Sequence, residues 1–319
     1  MNTFFVFNGD ADGVCALHQL RLENPETVTL ITGVKRDIKL LDRVAATAGD
    51  HVTVLDISLD SNRKGLTRLL QDGAIIKYFD HHHAGEIPQH DNLTTHIDVS
   101  ADVCTSLLVD QYLQGKYHAW AITAAFGDNL THKAQQLAHS AGLSAADSLR
   151  LGHLGEYLNY NGYGDNLEDL HFHPAELYAE IKPYANPFDF IEKSSAFAKL
   201  ASGYNDDMAR ADSLQPFASD EYHAAYVLPD APWARRVSGI YANKLANANP
   251  QRAHAVMTPN HAGNYTVSVR ASLLNPQGAD QLCLQFDTGG GRKAAAGINH
   301  LPMSALDQFL IRFQEFFHG

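Results

Sequence analysis

Residues 3–13 read TFFVFNGDADG. An apolar, aromatic run stops abruptly at Asn8, passes through two glycines and two aspartates, and gives way over 13–22 to apolar residues at helical spacing. A strand that turns at once into a helix is the opening of a βα unit. The glycines permit the tight turn and carry Asp10 and Asp12 to the strand's end. Three more short β-branched or aromatic runs follow: TVTLIT at 27–32, HVTVLDI at 51–57 and AIIKYFD at 74–80. Helical spacing over 37–47 and 61–71 lies between them. Strands alternating with helices predict an α/β fold built on a parallel sheet, with its chemistry gathered at the carboxyl ends of the strands.

Beyond this unit the period changes. Apolar residues three and four apart over 103–114, 117–126, 133–141 and 144–160 predict a helical C-terminal part to the first domain. The stretch 161–187, rich in Gly, His, Pro and Asn, reads as loop. One long linker helix is predicted over 188–211, bridging two lobes with the active site in the cleft between them. After a break near Gln215-Pro216, strands at 222–228, 253–258 and 265–271 and helices near 233–248, 278–286 and 304–317 predict a smaller α/β domain. The expected division is 1–187, a linker at 188–215, and 216–319.

Composition narrows the function. With 319 residues, 45% hydrophobic and 19% charged, the chain has the make-up of a folded protein rather than a disordered one. Its net charge of -12 gives no bulk attraction for a long duplex nucleic acid. The acidity is uneven: residues 214–319 carry eight basic and seven acidic side chains. Cys15, Cys104 and Cys283 are too few and too scattered for a disulfide framework, so a reducing cytoplasm is expected. No apolar run approaches the ~18 residues of a membrane span, and a signal-peptide pattern is lacking. Cys15 reads as a small core residue, and the acidic run 165–169 and Asp206-Asp207 as solvated surface.

Three of the predicted strands end in carboxylates: Asp10 and Asp12 after the first, Asp56 in the third, and Asp80-His81-His82-His83 after the fourth. Singly, each has an ordinary explanation. A D-x-D-G before a helix describes a turn and N-cap, Asp56 a strand-end cap, and three histidines a polar loop in a chain holding 18. Together, oxygen and imidazole donors converging on one sheet edge predict a site for Mn²⁺ or a similar ion. Lys35-Arg36, after another strand end, reads equally as a solvated charge pair or as a neutraliser of substrate.

These residues resemble the DHH phosphoesterase superfamily, which includes RecJ-type exonucleases, nano-RNases and cyclic-dinucleotide phosphodiesterases. NGDADG at 8–13, the Asp of VLDIS at 54–58, FDHH at 79–82 and AAFGDNL at 124–130 are similar to its four motifs in order. VSVRAS at 267–272 and TGGGRKAAAG at 288–297 resemble its associated substrate-binding domain. The resemblance implies a two-Mn²⁺ centre, with Mg²⁺ as the alternative ion. Asp10 would bind one ion, Asp12, His81 and Asp128 the other, with Asp56 bridging. Two cations about 4 Å apart activate a water and stabilise both oxygens of an in-line displacement at phosphorus. His82 would contact the scissile phosphate, Asp80 would orient His81, and Arg270 with Gly289, Gly290, Gly291 and Arg292 would grip substrate. The glycines are expected to form an anion-binding nest before a helix starting at Arg292.

Two departures stand out. Asn8 occupies the place of a charged or imidazole ligand, and Arg292 that of a histidine. The implied function is metal-dependent hydrolysis of phosphodiester bonds in short oligonucleotides or nucleotide second-messenger products. The alternatives are a phosphomonoesterase acting on bisphosphorylated nucleosides and a nucleotide-binding regulator with a degenerate centre. RecJ-type members carry further domains and a positive groove that this sequence lacks, which favours small substrates. Homo-oligomer formation is left open. Asn8→Asp is expected to tighten Mn²⁺ binding in calorimetry, and an unchanged affinity would place Asn8 outside the ion's ligands.

Overall fold

The computed structural model describes residues 1–318, and the chain divides into two compact units. The first comprises Met1–Gly162 and Leu170–Ser202, the second Tyr163–Asp169 and Gly203–Gly319. Among the described residues no helix is long and apolar enough to cross a membrane.

The first unit begins with β1 (Thr3–Asn8), α1 (Ala11–Glu23), β2 (Thr29–Gly33), β3 (His51–Leu55), α2 (Arg63–Gln71), β4 (Ile75–Asp80) and β5 (Leu93–Ile97). The strands form one sheet in the order β2-β1-β3-β4-β5, parallel throughout. This order reverses between β1 and β3, the topological switch point at which open α/β sheets bind ligands. Here β1 supplies Asp10 and Asp12 and β3 supplies Asp56. One core holds Val6, Val52, Val54, Ile76 and Tyr78 of the sheet against Leu66 and Leu69 of α2.

Then come α3 (Thr105–Tyr112), α4 (His118–Gly127), α5 (Thr131–Ser140), α6 (Ala145–Gly162), α7 (Pro174–Ile181), α8 (Pro187–Lys193) and α9 (Ser195–Asp212), the last belonging to the first unit up to Ser202 and to the second from Gly203. Helix α1 packs on α3 and α4, and α4 on α6. Cys15 and Trp120 are wholly buried there.

Three local expectations fail for identifiable reasons. The helix predicted over 37–47 shrinks to a single 3₁₀ turn at Leu40–Arg43. The Asn62 side chain accepts from Leu41 N and donates to Ile38 O, offering this backbone an alternative to the helical ladder. The linker predicted as one helix is two, because Ser194 adopts extended backbone and its hydroxyl accepts from Ala196 N. Inside the expected loop 161–187, Pro174 opens α7 and His173 caps it by accepting from Ala175 N.

The second unit contains β6 (Ala218–Ser219), β7 (His223–Val227), α10 (Pro232–Ala248), β8 (Ala253–Pro259), β9 (Asn264–Arg270), α11 (Ala279–Cys283), β10 (Gly289–Gly291), β11 (Ala295–Pro302) and α12 (Leu306–Phe316). Its mixed sheet runs β10-β11-β9-β8-β7-β6. Only β7 and β8 are parallel, joined through α10. Val267, Val269 and Ile298 pack against Leu282 of α11 and Phe309 and Phe313 of α12. Two carboxylates expected on the surface are buried here. Asp169 takes the Arg235 guanidinium bidentately at 2.9 Å, and Asp207 lies 2.7 Å from Arg236. Planar forks of this kind let a carboxylate be buried without remaining unpaired.

His18, 1% exposed, sits edge-on to Trp120 and near Tyr178. Its Nε2–H donates to Tyr184 O at 2.8 Å. Nδ1 finds no partner among the described residues. Burial lowers its pKa from the ordinary 6.5 to about 4. The neutral ring is therefore the folded form. Its contribution is complete above pH 6.5 and is lost as pH falls through the window down to about 4, amounting to about 3 kcal/mol. Denaturant unfolding of wild type and His18→Gln between pH 7 and 4 is expected to show a shallower loss of stability in the variant. Parallel curves would contradict this.

Candidate metal centre

At the end of β1 the chain turns through Gly9, and Asp10 caps α1, its Oδ1 accepting from Asp12 N and Gly13 N at 3.1 Å. Gly13 is required by close approach, since any Cβ there would run into the Asn8 carbonyl. The cap reading of this motif is therefore correct as far as Oδ1 goes. Asp10 Oδ2 faces Lys35 Nζ at 2.5 Å. Lys35 also reaches Asn159 Oδ1 of α6 at 3.0 Å, so it lies in the centre.

Asp12, in the first turn of α1, is 1% exposed. Its two oxygens accept from Thr105 N and Ser106 N at 2.7 Å each. Both donors open α3, where free N–H groups and the helix dipole favour an anion. Ser106 Oγ donates in return to Asp12 O at 2.8 Å. The Thr105 hydroxyl donates to Asp56 Oδ1 at 3.2 Å. Asp56 itself stands at φ 60°, a left-handed conformation that costs a non-glycine residue about 1 kcal/mol.

His81 follows β4, and its Nε2 lies 3.4 Å from Asp56 Oδ1, 3.8 Å from Asp128 Oδ2 and 3.9 Å from Asp12 Oδ2. Donors about 2.0–2.2 Å from a common ion stand roughly 3–4 Å apart, and each of the three carboxylate oxygens lies at such a distance from His81 Nε2. Asp56, His81 and His82 also present donor atoms within 4.8 Å of one another. Asp128 reaches the group from the C-cap of α4, where Asn129 at φ 63° ends the helix.

One expectation is corrected. Asp80 does not orient His81; its Oδ1 lies 2.7 Å from Nδ1 of His82. Its Oδ2 is buried and without a hydrogen-bond partner among the described residues. Burial opposes charge on His82, but the bond to Asp80 and the surrounding carboxylates outweigh it and raise its pKa. His83 points no donor at the group and is exposed.

The electrostatics fit a cation. Burial, together with Asp12, Asp10, Asp128 and Asp80, pushes the Asp56 carboxyl well above its usual range. Burial also moves Asp128 up to about 6, against the lowering influence of Lys35 and His81. For Asp10 the desolvation is outweighed by Lys35, the Gly13 N–H and a side-chain hydrogen bond with Asp56, and its pKa is lowered. A divalent ion would relieve the repulsion at Asp56 and Asp128 directly.

In the second unit, Arg270 donates to Asn243 Oδ1 at 2.6 Å and to the carbonyls of Val269 and Gly239, on the side where α10 packs. Gly289, Gly290 and Gly291 pair with Ile298, Gly297 and Ala296 as edge strand β10. The expected helix at Arg292 is absent. Arg292 and Ala295 exchange backbone hydrogen bonds at 2.9 and 3.1 Å, closing a hairpin that leaves Arg292 and Lys293 exposed. Gly289 is needed for contact rather than for a nest, since a Cβ there would strike the Cys283 carbonyl. Thr105, Ser106 and Asn159 were not singled out in the sequence. Thr105-Ser106 carries the weak signal of polar residues at a helix start, and Asn159 carries none.

No protein-family profile and no curated protein matches the chain. Solved structures do. An exonuclease RecJ bound to manganese aligns over 99% of this chain and 89% of its own, with 16% identity and a TM-score of 0.65. RecJ from Thermus thermophilus in complex with Mn²⁺ gives 17% identity and 0.67, over 99% of this chain and 52% of its own. The pGpG-specific phosphodiesterase PggH from Vibrio cholerae gives 13% identity and 0.59, over 99% of this chain and all of its own.

The chain shares the fold of the RecJ structures. Within that fold the donors lie at the strand ends, and the metal-binding role assigned to them is testable. Asp56→Ala and His81→Ala are each expected to weaken Mn²⁺ binding in calorimetry by at least about tenfold. Arg312→Ala, at an exposed position of α12, is the control and should leave it unchanged. Wild-type affinity in both site variants would dissolve the proposed centre.

Proposed function

We propose that the chain is a divalent-metal-dependent phosphodiesterase acting on short nucleotides. The observation that carries this reading is the convergence of Asp12, Asp56 and Asp128 oxygens on His81 Nε2 within 3.4–3.9 Å. Mixed imidazole and carboxylate donors suit Mn²⁺, with Mg²⁺ tolerated where oxygen donors dominate. A divalent ion bound there supplies a Lewis acid for a phosphoryl oxygen and lowers the pKa of a bound water. The chain's own residues do the rest. Asp12 is immobilised by the start of α3, Asp56 by Thr105, and His82 by Asp80. With Nδ1 committed to Asp80, His82 has Nε2 to offer a phosphate oxygen.

Small substrates are favoured by charge and by the comparison with PggH. A total of -12 disfavours a long polyanion, and PggH, described as specific for pGpG, is matched along its whole length. Size alone does not separate the chain from RecJ, one structure of which is also covered to 89%. Arg270 and Arg292 are the proposed phosphate contacts of the second unit, Arg292 through its planar donor fork.

Purified protein with Mn²⁺ is expected to hydrolyse pGpG and short RNA, with activity abolished by chelation and by Asp56→Ala. Asp80→Ala should lower kcat about 10–100-fold with a smaller change in KM, because it frees His82 rather than removing a binding group. Faster release of phosphate from pAp would favour a monoesterase. Micromolar binding of pGpG without turnover would instead favour a nucleotide-binding regulator.

A further inference from the structure

We propose that Lys35 stands as a fixed ammonium beside Asp10, where the two-ion reading sets a metal, so that this centre takes one divalent ion, at Asp56 and His81. The inference rests on the metal-centre reading above and specifies its composition.

The Asp10 carboxylate is already in use. Oδ1 accepts two backbone N–H groups of α1 at 3.1 Å, and Oδ2 holds the Lys35 ammonium at 2.5 Å. A carboxylate has about four lone-pair positions, and here two go to the helix and the strongest interaction goes to a charged donor. A divalent ion on Oδ2 would have to displace the ammonium or share the oxygen with it at like-charge distance.

Lys35 is also held along its length. Its backbone N donates to Gly162 O at 2.8 Å. Its carbonyl accepts from Asn8 Nδ2 at 3.3 Å, and its Nζ reaches Asn159 Oδ1 at 3.0 Å. The end of β1 and the last turn of α6 therefore both hold this residue of the loop after β2. Gly162 packs so closely on Asp10 that a Cβ there would crowd the aspartate's own Cα and Cβ. The Lys35 backbone is thus fixed in place, and its ammonium is held by Asp10 and by the neutral acceptor Asn159 rather than by charge alone.

Charge balance points the same way. Asn8 is neutral and turns its donor toward Lys35, so Asp10 and Lys35 form a pair of net zero charge. Asp12, Asp56 and Asp128, gathered around His81, are the group left without a paired ammonium at hydrogen-bond distance, and a dication would offset two of their three charges. A lysine is a compact point charge well suited to a phosphate oxygen. In this arrangement Lys35 supplies, without exchange with solvent, the positive charge that a second ion would bring to a bound phosphate ester.

The test is Mn²⁺ stoichiometry and spin coupling on the full chain, by calorimetry and electron paramagnetic resonance. Wild type should take one ion with an uncoupled spectrum. Lys35→Met should take two and show the broadened spectrum of a coupled pair. Asp10→Asn keeps the N-cap, since asparagine caps as well as aspartate, and should change the affinity of the single site by less than about tenfold. Two ions in wild type, a folded Lys35→Met protein that still takes one, or a larger loss in Asp10→Asn would each overturn the proposal. Should Lys35→Met fail to fold, Asp10→Asn decides. One ion bound without turnover would remove the phosphodiesterase reading and leave this one; two ions with turnover would do the reverse.

Discussion

Five carboxylates meeting at one sheet edge is the constraint on which the first unit depends. Asp10, Asp12, Asp56 and Asp80 are at most 3% exposed, and Asp128 is partly buried beside them. Two like charges 4 Å apart repel by about 4 kcal/mol even at an effective dielectric of 20. The surrounding structure is a set of answers to that repulsion. Asp10 has Lys35 and the start of α1, Asp12 has two N–H groups at the start of α3, and Asp80 has His82. Asp56 has a hydroxyl and the rings of His81 and His82, and Asp128 has His81 and the longer-range charge of Lys35. The two carboxylates whose pKa values are driven upward are the two with the weakest compensation. Compensation within the chain and the placement of an exogenous ion are therefore complementary.

How far the sequence could be read follows from burial and from distance along the chain. Strands β1, β3 and β4 announce themselves because they are buried central strands, and buried parallel strands are near-continuous apolar runs. Strand β5, LTTHI at the sheet edge, is only half-buried and carries polar residues, so no apolar run marked it. The donors Asp10, Asp12, Asp56 and His81 were legible because each sits at the end of a legible strand. Lys35 sits after a strand end too, but one lysine beside one arginine has no chemistry until its partner is known. That partner, Asp10, is 25 residues away, and the second, Asn159, is 124.

Misreadings cluster where a side chain or a pairing strand decides the backbone. Helical spacing over 37–47 was overridden by one asparagine, Asn62, bonding to Leu41 and Ile38. A run of three glycines has no periodicity to reveal a strand. It pairs with β11, where Gly291 approaches Ala296 and Gly289 the Cys283 carbonyl of α11 too closely for a side chain. The Asp80 assignment failed differently. Adjacent histidines differ in direction by the local backbone alone, and His82 rather than His81 is the ring whose Nδ1 falls beside Asp80. Sequence adjacency cannot distinguish the two.

At 13–17% identity to RecJ and PggH, most side chains differ while the fold is shared, and in this chain the sheet order is what gathers the donors. With β1 and β3 adjacent and their crossovers leaving in opposite directions, the loops after them diverge and open a crevice at the carboxyl edge. Any residue placed first after β1 or β3 borders that crevice, whatever the remainder of the sequence does. Helix α3 then closes one side, because its N-terminus must find an acceptor for Thr105 N and Ser106 N and finds Asp12. Replacing that acceptor would cost α3 its only charged cap among the described residues as well as the centre one donor. Stability and chemistry at Asp12 are therefore two consequences of a single contact.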